Sequence, residues 1–259
     1  MLGTSTLPAG FDASLFEALA VLEPTSFWFR GRNNVILWAI DRWFSDSRSF
    51  LEVGCGTGYV LSAILGSRPD MDAVGAELFP EGLRVARRRL KGVPLVQADA
   101  RSLGIDQAFD LVGAFDVLEH IDRDQDALRA MLRALRPGGG LVVTVPQHRW
   151  LWSEADRFAG HARRYTRREL TKKVRDAGFE QLWTTSFLTF LLPLITISRL
   201  VTGRRRYSLD SEFGLPRRID RLLERSFDLE RAAMSRGVSF PVGGSLLVVA
   251  RRPYTASDE

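Results

Sequence analysis

The chain has a single cysteine, Cys55, among 259 residues. One cysteine excludes an internal disulfide and any zinc site built on thiolates. Lysine is nearly as scarce, found only at positions 91, 172 and 173, so almost all the positive charge is arginine. The net charge is +5 and the isoelectric point is near 9.8. No basic-and-aromatic motif of an RNA-binding module accompanies that charge, and nucleic acid is not an expected partner. Long apolar runs are also missing. The longest, Phe187-Leu-Thr-Phe-Leu-Leu-Pro-Leu-Ile-Thr-Ile197, falls well short of the roughly 20 residues that span a bilayer. No charged-then-apolar leader opens the chain, so the expected location is cytoplasmic. Histidine is limited to three positions, with no H-x-x-x-H spacing and no facing acid pair, so no catalytic metal is expected. What remains is the composition of an ordinary folded chain, 45% hydrophobic and 26% charged.

Glycine is abundant, and its placement is the strongest signal. Phe50-Leu-Glu-Val-Gly-Cys-Gly-Thr-Gly58 is a short apolar run ending in three glycines at alternate positions, with an acid just before them. Residues 49–53 read as a buried strand and 59–65 as the helix after it. Glycines between them let the backbone take φ > 0 and approach a ligand closely. A dinucleotide fingerprint, G-x-G-x-x-G, would need its third glycine at position 59, which is Tyr59. A diphosphate at a helix N-terminus also tolerates no nearby carboxylate. Glu52 suits instead a ligand that carries an ammonium group. Both points argue against a nicotinamide-dependent oxidoreductase.

The E-x-G-x-G-x-G pattern resembles the first motif of class I S-adenosylmethionine-dependent methyltransferases, of the small-molecule, type 11-like group. Four later segments extend the resemblance in order: DAVGAE at 72–77, a strand at 93–98 followed by Asp99-Ala100, FDLVGAF at 109–115 followed by Asp116-Val-Leu-Glu-His-Ile121, and Leu135-Arg-Pro-Gly-Gly-Gly-Leu-Val-Val-Thr-Val-Pro146. Together these cover about residues 50–186 and 243–252. The family implies S-adenosyl-L-methionine as cofactor. It implies contacts from Glu52, Gly54, Cys55, Gly56 and Gly58 in the first motif, from Glu77 and Leu78 after the second strand, from Asp99 and Ala100 after the third, and from Asp116 and Val117 after the fourth. Glu77 would accept the ribose hydroxyls and Asp99 the adenine amino group. The implied fold class is α/β, a Rossmann-like seven-stranded sheet whose seventh strand runs antiparallel between the fifth and sixth.

The alternation of strand and helix supports that architecture independently. Residues 1–10 read as a loose tail, Asp12 as a helix cap, and 25–44 as a second N-terminal helix carrying Phe27, Trp28, Val35, Ile36, Trp38, Ile40 and Trp43. Its Trp28-Phe-Arg-Gly-Arg-Asn33 piece has two readings: aromatic packing with solvated arginines, or Arg30 or Arg32 reaching the cofactor's carboxylate. The arginines at 84 and 87–89 read as a solvated helix face. Thr166-Arg-Arg-Glu169 is a capping box. The expected organisation is one methyltransferase domain, with N-terminal helices over 1–47, core over 48–186 and 243–252, and an inserted helical cap over 187–242. In the cap, a helix over 216–235 is expected to bury Ile219, Leu222, Leu223, Phe227 and Met234. The apolar run at 187–197, followed by Arg199 and arginines 204–206, reads either as a wall of the substrate pocket or as a peripheral membrane contact.

In-line methyl transfer asks the protein mainly for alignment, and a base helps an oxygen or nitrogen nucleophile. The candidates are His120, His148 and His161, all following the C-terminal ends of strands four and five, where an open α/β sheet has its ligand crevice. The loop from Pro146 to Tyr165 is rich in aromatic and charged side chains and reads as a lid over the pocket. The first expectation for the reaction is O-methylation of a hydrophobic or carrier-linked small molecule. The alternatives are a methyltransferase-like binding protein and a protein or RNA methyltransferase. No N/D-P-P-Y/F signature follows strand four, which disfavours methylation of base or amide nitrogen.

Overall fold

The computed structural model describes residues 15–202 and 215–254. The expected tail, the Asp12 cap and the arginines at 204–206 lie outside the described residues. Two helices come first, α1 (Leu15–Leu22) and α2 (Phe27–Trp43). The core follows as β1 (Ser49–Val53), α3 (Tyr59–Ser67), β2 (Asp72–Glu77), α4 (Pro80–Arg89), β3 (Leu95–Gln97), β4 (Phe109–Phe115), α5 (Asp124–Ala134) and β5 (Leu135–Pro146). Then come α6 (Glu154–Phe158), α7 (Arg167–Asp176), β6 (Glu180–Phe187), α8 (Leu192–Thr202), α9 (Arg217–Ser235) and β7 (Ser245–Arg251). The seven strands form one sheet in the order β3-β2-β1-β4-β5-β7-β6, with β7 antiparallel to both neighbours. This is the expected methyltransferase topology.

Side chains alternate along each strand, so each strand feeds both faces of the sheet. In β7, Leu246, Val248 and Ala250 join the core beneath α5 and α7. Leu247 and Val249 join the core beneath α2, α3, α4 and α9. Both faces are covered, which is why these strands read as continuous apolar runs rather than alternating ones.

Some boundaries differ from expectation. β3 holds only three residues, because Pro94 precedes it and cannot donate to the ladder. Leu135 already pairs with Phe109, and the register slips before Gly140 meets Leu111, so the Pro-Gly-Gly-Gly stretch sits within an irregular β5 rather than before it.

Of the stripe predicted for α9, Phe227 and Met234 are buried and Ile219 and Leu222 are not. Ile219 is 46% exposed and Leu222 64% exposed, whereas Asp220, Phe227, Glu230 and Met234 are buried. That stripe follows helical spacing and faces α2. The ring of Phe227 sits where a Cβ on Gly31 would fall, 2.4 Å from it, so Gly31 allows the close approach of the two helices. Asp220 accepts from the Phe27 amide at 2.6 Å and pairs with Arg30, which also binds Glu224. Leu222 lies on the opposite side of the helix from this stripe. The apolar run at 187–197 also divides. Phe187 and Leu188 are buried, while Phe190, Leu194 and Ile197 are exposed.

Candidate active site

Two adjoining cavities open at the C-terminal ends of the parallel strands. The first, of about 490 Å³, is built from the glycine turn and the ends of β2, β3 and β4. Gly54 and Gly58 take φ of +73° and +75°. A Cβ at Gly54 would fall 2.5 Å from Val117, and one at Gly58 2.5 Å from Leu90, so only glycine fits either place. The amides of Gly54 and Cys55 both donate to the Ala76 carbonyl, which ties the turn to β2. Glu52, Gly54, Cys55, Gly56, Glu77, Leu78, Asp99, Ala100, Asp116, Val117 and His120 all line the cavity. Gly58 does not line it; it caps α3 from behind.

The acids of this cavity are in different states. Glu52 is buried and its Oε2 has no hydrogen-bond partner, so burial holds its carboxyl well above the usual range. Glu77 accepts from the amides of Gly56 and Phe79, both at 2.9 Å. Burial raises its carboxyl despite those donors. Asp99 is gripped by Arg101, which lowers its carboxyl. Burial pushes the Cys55 thiol up, so it is a packing residue of the turn rather than a nucleophile.

Sequence reasoning missed one group here. Glu23, at the end of the α1 turn, is buried against the cavity and accepts from Thr57 Oγ1 at 2.6 Å and from Arg89 at 2.8 Å. Arg89 also donates to the Thr57 carbonyl. It was expected on a solvated face, but α4 runs close enough to the turn for its side chain to brace it. Arg88, on the same helix, pairs with Glu17.

The second cavity, of about 610 Å³, has walls from α1, α2, α6, α8 and α9. Phe27, Trp28, Leu188, Leu191, Ile195 and Leu223 make it largely apolar, and Glu119, Asp156, His161 and Arg164 are its polar floor. Phe29, Arg32 and Asp116 line both cavities. Arg32 binds Asp116 at 2.6 Å and lies over the Trp28 ring, while its Nε has no partner. Of the two arginines proposed for the cofactor, Arg32 therefore faces the site; Arg30 holds α9.

The three candidate histidines separate. His120 and His161 meet edge to face, 4.8 Å between ring centroids. Burial and then His161 lower the His120 imidazole to about 3, so it is neutral. His161 Nδ1 lies 2.9 Å from Asp156 Oδ1. Burial alone would raise Asp156, but His161 and Arg164 together hold its carboxyl well below the carboxylate range. His148 lines neither cavity; it stacks on the exposed Trp150 at the foot of the loop. The loop is anchored by the Gln147–Tyr165 bridge, by a capping box of Ser153 and Asp156, and by buried Tyr165, whose hydroxyl is 2.6 Å from Asp124. Glu119 also escaped the sequence reading. It is fully buried between His120 and the loop, and neither of its oxygens has a hydrogen-bond partner.

A family profile described as a methyltransferase domain matches residues 29–183. The chain belongs to that family, the class I S-adenosylmethionine-dependent methyltransferases. It is 35% identical to a trans-aconitate 2-methyltransferase of Methylobacterium nodulans over 98 residues, 38% of each chain. It is 27% identical to a probable S-adenosylmethionine-dependent methyltransferase of Mycolicibacterium smegmatis over 68% of each. The match to the trans-aconitate 2-methyltransferases spans about two fifths of their length. Among solved structures, phosphoethanolamine N-methyltransferase 2 of Haemonchus contortus, in complex with S-adenosyl-L-methionine, superposes with a TM-score of 0.66 at 16% identity, covering 97% of this chain and 61% of that one. Among the described residues no helix is long and apolar enough to cross a membrane.

Proposed function

We propose that the chain transfers the methyl group of S-adenosyl-L-methionine to an oxygen of a hydrophobic or carrier-linked small molecule. One observation carries the reading: two cavities, one edged with acids and one walled with apolar side chains, meet across a shared wall of Phe29, Arg32 and Asp116. The first cavity fits the cofactor. Glu52 has a buried oxygen without a donor, which suits an ammonium group, and Arg32 has a free Nε for a carboxylate. Each Glu77 oxygen accepts one amide and retains a second lone pair for a ribose hydroxyl. Bound there, the cofactor supplies an electrophilic methyl group on a sulfonium.

The protein's own contribution is alignment and removal of a proton. Apolar walls hold the acceptor, and Glu119 and His161 on the floor of the second cavity, with the neutral His120 beside them, are the polar groups toward which a hydroxyl would turn. Exposed Phe190, just before α8, and exposed Ile197 on it support a peripheral contact with membrane that delivers a lipid-like acceptor. A labelled methyl-donor assay on a cell extract, with the product identified by mass, tests the reading. Label in a lipophilic small molecule is the expected result. Label in protein or RNA, or no transfer with cofactor bound, would overturn it.

A further inference from the structure

We propose that Glu119, His120 and His161 bind a divalent first-row metal ion at the junction of the two cavities. One ligand atom from each of the three side chains lies within 4.8 Å of the other two. Ligands about 2.0–2.2 Å from a single ion sit roughly 3–3.6 Å apart, so a modest contraction closes the site. The set is two imidazoles and one carboxylate, which suits zinc, manganese, iron or cobalt better than magnesium or calcium.

The surroundings are those of a ligand set. A metal-bound imidazole gives its other nitrogen to a carboxylate or a backbone carbonyl, which fixes the tautomer and the aim of the ring. His161 does this with Asp156, at 2.9 Å from Nδ1, leaving Nε2 turned to Glu119 Oε1 at 4.0 Å. His120 does it with the Gly160 carbonyl, at 3.3 Å from Nδ1. Glu119 supplies the independent observation. Its side chain is fully buried, and both oxygens lack any hydrogen-bond donor. A carboxylate in that position costs several kcal/mol of desolvation unless a cation answers it. The two nearest guanidinium groups are committed elsewhere, Arg32 to Asp116 and Arg164 to Asp156.

Three protein ligands leave open positions on the ion, and Glu119 and His161 line the second cavity while His120 lines the first. This deepens the proposed function and rests on it only for the role of the ion. An acceptor hydroxyl bound to the ion loses its proton to solvent more readily. Its oxygen then forms a bond to the methyl carbon while the carbon–sulfur bond breaks, and that electron pair stays on sulfur.

The test is metal binding, read without turnover. Chelated, dialysed full-length protein is titrated with Zn²⁺ and Mn²⁺ by calorimetry, and with Co²⁺ by visible absorption. One equivalent of ion is expected, with a Co²⁺ spectrum of mixed nitrogen and oxygen ligation. Asp156→Asn should weaken binding about 10–100-fold, and Glu119→Gln and His161→Ala more than that. His148→Ala should bind as the unaltered protein does. Melting temperature and S-adenosylhomocysteine binding, measured on each variant, report folding and the family reading separately. No stoichiometric ion in a protein that still binds S-adenosylhomocysteine would overturn the metal site alone. Ion binding undiminished in Glu119→Gln and His161→Ala would do the same.

Discussion

The two cavities share Arg32 and Asp116 but are made in different ways. The first is framed by main chain. Gly54 and Gly56, strand ends and short connections bring Glu52, Glu77 and Asp99 to its rim, each within a few residues of a strand terminus. The second is framed by side chains from segments far apart in sequence: α2, the loop after β5, α8 and α9. Backbone framing fixes the shape of a ligand that does not change, and side-chain framing leaves room for an acceptor that does. In the first cavity Glu52 has an oxygen without a donor while Asp99 and Asp116 are held by Arg101 and Arg32, and in the second Asp156 is held by His161 and Arg164 while Glu119 is left without a donor.

The comparison breaks most visibly at the floor of the second cavity. His161→Ala should lower methyl transfer about 10²–10⁴-fold, the range for a lost proton-handling group, while leaving cofactor affinity intact. His148→Ala should leave both unchanged. Steady-state kinetics with calorimetry of S-adenosylhomocysteine checks this, and full turnover in His161→Ala would divorce the second cavity from the reaction.

The next effect belongs to the first cavity. Glu77→Ala removes a charged acceptor worth about 1.5–3 kcal/mol, so S-adenosylhomocysteine should bind about 10–100-fold more weakly. The acceptor's KM should not move. A parallel loss in acceptor binding would mean that the cavities are not separate sites.

A smaller effect is one of pH. Burial raises the Glu52 carboxyl, so the free protein holds that proton above the ordinary carboxylate range. If the ligand's ammonium needs the ionised form, binding releases the proton. Affinity then rises with pH, by at most about tenfold per unit, until Glu52 ionises in the free protein. The sign for stability is opposite. The native state binds more protons than the unfolded one, so Glu52 costs stability as pH rises from 4.5 toward its folded value. Calorimetry of S-adenosylhomocysteine across pH, in buffers of different ionisation enthalpy, reads the proton release. Glu52→Gln should abolish it.

The smallest effect lies at the exposed Phe190, just before α8, and at Ile197 on that helix. Co-sedimentation with vesicles should increase with anionic lipid and fall with salt, each arginine near the surface adding about 1 kcal/mol. Phe190→Asp should reduce it. Absence of sedimentation at every lipid charge would leave α8 as a wall of the second cavity only.

The resemblance of the chain's motifs to a known family made the first cavity legible. Ten of the eleven residues it implied at the cofactor line the cavity, each next to a strand end that the apolar pattern marks. Gly58 was read as part of the same surface, but its φ serves the entry into α3 instead. The second cavity was not legible in that way. Arg30 and Arg32 are two residues apart and look alike in sequence. Only the packing of α9 on α2 gives Arg30 to Asp220 and turns Arg32 to Asp116. Glu119 stood in the quoted Leu-Glu-His stretch, yet nothing local marks a buried acid without a donor.

The sequence by itself determined the alternation of strand and helix and the place of the glycine turn, which follow from hydrophobic period and from glycine's access to positive φ and act over a few residues. The strand order and the acids at the rim were legible only through the resemblance of its motifs to a known family. The tertiary structure decided what the long-range contacts decide. It bent α9 onto α2 through Phe227 and Gly31, left Leu222 outside, and separated His148 from the other two histidines. It also brought Glu119 and His120, from the end of β4, against His161 from the loop after β5. Such pairings depend on which surfaces meet after the chain has collapsed, and no local propensity encodes them.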